Sequence, residues 1–176
     1  MNKLNIDDFV ELCIHYAKTN GIELSHLKLQ KILFYLQAWS VGYFNDQLFD
    51  ELPEAWVNGP VYPSIYSRFK DYKGEAIVEA ADCTLEEDAV NLHQTMVHIE
   101  RDSEQKSLFE AVLDKYMSNS AGELVYQTHR ERPWLEARNG CGPFEPSRMV
   151  ISYDSMKSFY GSIADKHKAS RTASTD

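Results

Sequence analysis

Between His26 and Phe44 the chain reads HLKLQKILFYLQAWSVGYF, and from Ile32 onward apolar side chains fall on nearly every side of a helical projection. A surface helix carries one apolar stripe, whereas a helix that is apolar all round has to be surrounded. At ~1.5 Å per residue the stretch makes a rod of roughly 30 Å, about the width of a small domain. It therefore predicts a central buried helix, with Ser25 placed to cap its start. Gln30 and Gln37 are its polar exceptions, seven residues apart and so on one face. Buried amides need partners, and backbone groups of neighbouring loops are the expected ones.

Working outward, Phe9, Leu12, Cys13, Tyr16 and Ala17 recur at helical spacing and predict a helix over about 6–19, stopped near Gly21. After the turn Asn45-Asp46-Gln47 the text is irregular to Pro63, and short extended segments are expected around a Gly59-Pro60 turn. Pro63 suits the first turn of a helix over about 64–72. Thr84-Leu85-Glu86-Glu87 has a capping-box form and opens a helical pattern towards Ile99, with strand as the alternative near its end. Further helices are expected over 104–117, from the capping box Ser120-Ala121-Gly122-Glu123 to near Arg130, over one turn from Pro133 to Arg138, and over about 154–165. The small polar residues from Lys168 predict a frayed tail. The fold expected is mainly α with a small β-hairpin: one domain over 1–167 around the helix 26–44, and a polar tail over 168–176.

With 176 residues, 43% of them apolar, the chain can bury a core within one domain. A net charge of -9 argues against general nucleic-acid binding, which calls for a basic face. Seven carboxylates and no Lys or Arg fall between Gly74 and Glu100, either as a solvated face or as an acidic patch for a basic partner. Cys13, Cys83 and Cys141 are odd in number and widely spaced, so neither a disulfide framework nor a zinc ribbon is read, and a reduced cytoplasmic setting fits. Cys13 reads as a core residue and Cys141 as a thiol open to solvent. No apolar run approaches a membrane span, and the first residues lack the apolar core of a signal peptide.

Sequence motifs for a nucleophile elbow, a phosphate loop, a dinucleotide fold or a zinc helix are absent. His93 and His98 are five apart and on different helical faces, and Glu51 and Glu54 read as solvated loop carboxylates. His129 is the best-placed residue for acid-base work, but no nucleophile accompanies it, and a capping or contacting role is favoured. No catalytic residue, metal ligand or cofactor site is assigned. Recognition has more support. Aromatics make up 12% of the chain. Trp39 belongs to the buried helix, whereas Trp56 and Trp134 could serve core or interface equally. Tyr62 and Tyr66 could extend the same surface, and Arg130 and Arg132 lie close in sequence. Aromatic anchors with arginine are the residue types that dominate protein-protein hot spots.

The stretch Lys28-Leu29-Gln30-Lys31-Ile32-Leu33-Phe34-Tyr35, then Ala55-Trp56 with Gly59-Pro60-Val61, then Thr128-His129-Arg130-Glu131 with Pro133-Trp134, resembles the three signature blocks of the Panacea (SocA-like) antitoxin family. That family has also been labelled phage-associated protein GepA. Asn58 stands where an aromatic or basic residue is expected. The resemblance spans about Leu4 to Arg138 and implies an α-rich antitoxin of a bacterial or prophage toxin-antitoxin pair. Such a protein is not an enzyme: it neutralises a co-encoded toxin by direct binding, or in one branch delivers it to a protease. The partner-binding set expected is Trp56, Asn58, Gly59, Pro60, Val61, Tyr62, Tyr66, His129, Arg130, Arg132 and Trp134. A His129-dependent enzyme and a transcriptional regulator stand as the other readings.

Overall fold

The computed structural model describes residues 5–77, Met96, Ile99 and 102–173. Helix α1 (Ile6–Thr19) starts at a capping box in which the Asn5 side chain and the Asp8 carboxylate serve each other's backbone N–H groups. Helix α2 (His26–Phe44) starts where Ser25 Oγ accepts from Lys28 N and stops at Asn45, which takes a left-handed φ of 55°. Strands β1 (Glu54–Trp56) and β2 (Gly59–Val61) pair antiparallel, with Ala55 opposite Pro60. Helix α3 (Pro63–Phe69) continues into a 3₁₀ turn over Lys70–Tyr72. Then come α4 (Ser103–Met117), α5 (Ala121–Thr128), α6 (Arg132–Ala137) and α7 (Tyr153–Thr172). The fold is mainly α with one small hairpin, as the sequence predicts. The expected 84–100 helix, Cys83, His93, His98 and most of the acidic stretch lie outside the described residues.

Helix α2 is the axis. It packs most extensively on α7 and also touches α1, α3, α4, α5 and β2. Its buried side chains include Leu29, Ile32, Leu33, Phe34, Tyr35 and Val41, none of them reached by solvent. The approach to α7 is close because Gly42 lacks a side chain: a Cβ there would lie 2.7 Å from Tyr160 Cβ and 2.8 Å from the Tyr160 carbonyl carbon. An aromatic layer fills the rest. Tyr35 stacks on Tyr116 at 3.8 Å, Trp39 meets Tyr160 edge-on at 5.0 Å, and Trp39 Nε1 donates to the Tyr116 hydroxyl at 2.9 Å.

The buried amides behave as expected. Gln37 Oε1 accepts from Leu48 N at 2.8 Å and its Nε2 donates to Phe49 O at 2.9 Å. Gln30 Oε1 accepts from Tyr62 N at 2.7 Å. Two loops without regular structure are thus tied to the helix by its own side chains. Cys13 is core, and Cys141 is half-buried rather than open.

Two expectations shift. The hairpin turns at Val57-Asn58, and Gly59-Pro60 lies inside β2. Proline fits there because its position faces away from the ladder: the Ala55 N–H opposite it donates to Met149 O at 2.8 Å instead. Helix α7 runs on to Thr172 through the segment expected to fray. His167 stacks on Trp39, its Nδ1 shares a hydrogen bond with the Tyr43 hydroxyl at 2.9 Å, and Lys168 Nζ donates to Tyr43 O at 3.0 Å. Contacts with the end of α2 hold a turn that composition alone would let go.

Candidate functional site

The hairpin is fixed from below by Lys31, whose side chain solvent does not reach. Its Nζ donates to Pro60 O at 2.9 Å. The space for it exists because residue 59 is glycine: with φ at +97° an added Cβ would sit 2.7 Å from Lys31 Cε and 2.8 Å from Thr128 Oγ1. Burial pulls the amine down to about 7, because a dry environment penalises its charged form.

From the side, α5 and α6 supply a second support. Trp134 is 8% exposed and its Nε1 donates to Trp56 O at 3.0 Å. The His129 ring stacks on Trp134 at 4.0 Å, and the Arg138 guanidinium lies 5.1 Å from the same ring. Arg138 is itself buried and donates to Ala55 O, Gly142 O and Glu145 O. One guanidinium therefore joins β1 to the loop after α6. That loop returns as a third extended piece: Val150 lies opposite Glu54, and Ile151 N donates to Pro53 O at 2.8 Å.

Above this platform opens a groove of about 420 Å³. Trp56, Val57, Asn58 and Val61 form the hairpin side, Tyr66 the α3 side, His26, Leu27 and Gln30 the start of α2, and Lys73 with Pro146, Ser147 and Arg148 the rim. Trp56 and Tyr66 meet at 4.7 Å with rings tilted by 57°, and His26 lies 5.2 Å from Tyr66. Glu54 Oε2 accepts from Trp56 Nε1 at 2.6 Å, which fixes the indole. Burial, and then the charge of Lys31, lower the pKa of His26, so its ring favours the neutral form.

The sequence-derived residues separate into three groups. Trp56, Asn58, Val61 and Tyr66 line the groove. Gly59, Pro60, Tyr62, His129 and Trp134 lie beneath or beside it as support, with Tyr62 sealed from solvent. Arg130 and Arg132 lie elsewhere: both are exposed, Arg130 over the Tyr126 ring at 5.2 Å and Arg132 paired with Glu136. His26, Lys73, Pro146, Ser147 and Arg148 were not anticipated. The last three arrive through the Arg138 clamp and the Val150 pairing, neither of which leaves a local motif. Glu51, expected to be solvated, accepts from Ser64 N at 3.2 Å and so caps the start of α3.

His129 Nε2 is sealed from solvent and has no partner among the described residues. Burial is the main force lowering its pKa, with Lys31 and Arg138 adding to it and a backbone hydrogen bond at Val57 opposing it. Glu131, two residues on, faces the core. Its carboxyl end is covered although the residue as a whole is half-buried, accepting from the Tyr160 hydroxyl at 2.6 Å and the Tyr35 hydroxyl at 3.2 Å. Desolvation outweighs those hydrogen bonds and the Lys115 charge, and raises its pKa to about 7.

A carboxyl whose pKa is raised on folding stabilises the fold in its protonated form, and the native state gives up that proton only at higher pH than the unfolded chain does. That contribution is complete at low pH and declines as pH rises towards 7. Glu131→Gln should therefore remove a fall of roughly 1–3 kcal/mol between pH 5 and 7.5. Both histidines with lowered pKa push the opposite way in this window, so the readout is the difference in urea midpoint between wild type and variant at each pH. A difference that does not vary with pH would show that Glu131 is ionised throughout.

Among the described residues no group of three His, Cys, Asp or Glu side chains could hold a metal, and no helix is long and apolar enough to cross a membrane. Fold and groove together define a mainly α domain with an aromatic, cation-rimmed surface cleft. The chain belongs to the family described as Antitoxin SocA-like, Panacea domain, which it matches over residues 29–135. It is similar to Antitoxin SocA of Caulobacter vibrioides (strain NA1000 / CB15N), with 29% identity over 132 residues, covering 74% of this chain and 69% of that protein. No solved structure matches.

Proposed function

We propose that the protein is a cytoplasmic antitoxin that neutralises a co-encoded toxin by direct protein-protein binding, with the groove beside the hairpin as its contact surface. The observation that carries the reading is the convergence of Trp56 and Tyr66 with Lys73 and Arg148 around one open cleft in a member of this family. Large, held aromatic rings give contact area at low entropic cost, and flanking cations give direction. No bond-making step belongs to this reading. His129, the residue best suited to one, has its ring stacked on Trp134 and its Nε2 sealed from solvent.

The test is co-expression with the product of the adjacent gene. That product should arrest growth alone and be tolerated with this protein, and the two should co-purify. Trp56→Ala should leave the melting temperature within a few degrees of wild type, because the ring lines the groove instead of the core. It should weaken the pair by ~2 kcal/mol, about thirtyfold in Kd. Undiminished binding by Trp56→Ala would move the contact surface elsewhere on the molecule. A harmless neighbour that does not co-purify would end the antitoxin reading.

A further inference from the structure

We propose that the toxin is held as an added β-strand: an extended, carboxylate-bearing segment of it pairs with the outer edge of residues 148–150 and lays its acidic side chains against Arg148 and Lys73. This deepens the antitoxin reading and rests on it.

The first support is an unused backbone edge. Met149 O and Ile151 N are taken by Ala55 N and Pro53 O. Val150 lies between them, opposite Glu54, so its own N–H and C=O point away from β1. Two residues earlier come the N–H and C=O of Arg148. None of these four groups has a partner among the described residues. Natural sheets guard such edges with lysine, proline or a covering segment. Here the sequence is Met149-Val150-Ile151, with Met149 61% and Val150 50% exposed, and Phe144 in the preceding loop is 88% exposed. An extended partner segment supplies the missing donors and acceptors at the two-residue spacing of a strand, and alternate side chains give specificity.

The second support is charge. The chain carries a net -9, yet among the described residues no carboxylate lines the groove, whose rim holds Lys73 and Arg148. Neither cation has a carboxylate partner among the described residues. The nearby Glu54 carboxylate is engaged by the Trp56 indole. Arg148 and Trp56 both line the groove. A strand added beside 148–150 therefore borders the cleft on its cationic rim. Apolar residues alternating with Asp or Glu are the sequence that suits it.

The experiment uses the full chain with the purified product of the adjacent gene, and overlapping 15-residue peptides cut from that product's sequence. Val150→Pro removes the outward N–H and leaves the bonds to β1 through residues 149 and 151 in place. It should raise the Kd for the whole product at least tenfold with an unchanged circular dichroism spectrum. The double variant Arg148→Glu with Lys73→Glu, at two exposed positions, should slow association at least tenfold and reverse its salt dependence. It keeps the test open should the proline variant not fold. Peptides that bind should alternate apolar and acidic residues. Wild-type strength in both variants, or capture of basic peptides only, overturns the strand proposal while co-purification with wild type preserves the antitoxin reading. Failure of wild type itself to bind the product removes both.

Discussion

Trp134→Ala is expected to lower the free energy of unfolding by roughly 3–5 kcal/mol, the range for removing a large buried aromatic side chain. Packing is only part of the loss. The Trp56 carbonyl loses its donor, His129 loses the ring it stacks on, and Arg138 loses one face of its cage. All three act on the same hairpin, so the groove should lose its shape along with its stability. Urea unfolding measures the first effect and binding of the adjacent gene's product the second. Trp134→Phe separates the causes, because it keeps most of the volume and drops the hydrogen bond, for an expected loss of about 1–2 kcal/mol. If Trp134→Ala stays within 1 kcal/mol of wild type, the hairpin does not rest on this side chain.

Gly42→Ala should cost about 3 kcal/mol, a large penalty for one methyl group. The added Cβ meets not the end of a flexible side chain but the Cβ and carbonyl carbon of Tyr160, so α2 and α7 have to separate along their length. Gly161→Ala on the facing helix provides the contrast. Its Cβ would lie 3.8 Å from the Gly42 carbonyl oxygen, an ordinary contact. There the gain in helix propensity should dominate, for a stabilisation of up to about 1 kcal/mol. Equal effects of the two substitutions in thermal melts would show that the helices are not in tight contact at Gly42.

The axis of the fold was legible because two kinds of residue left one pattern. Apolar side chains on all sides of 32–44 demanded burial, and Gln30 and Gln37 then demanded partners, which the loops supply. Lys31 was not legible. Lysine usually keeps its ammonium in water, and what allows its burial is an empty space made by Gly59, a residue 28 positions away. The displaced turn has a related cause: Gly-Pro signals a bend locally, but here the proline sits where the ladder needs no donor. Near its end α7 has a polar sequence, and His167 and Lys168 are held there by Trp39 and Tyr43, which no local reading connects to them. In the groove, Trp56 and Tyr66 stood out by residue type. Lys73 and Arg148 come from distant loops and become neighbours only after folding.

Gln30, Gln37, Lys31 and Arg138 share one property: each grips main-chain groups of the hairpin or a neighbouring loop and ignores the identity of the side chains there. Anchorage of that kind survives rewriting of the gripped segment, provided Gly59 and the course of the backbone are kept. Positions such as Val57 and Asn58 are consequently free to drift or be redesigned without dismantling the chassis. In this architecture, surface chemistry and thermal robustness can be tuned one at a time.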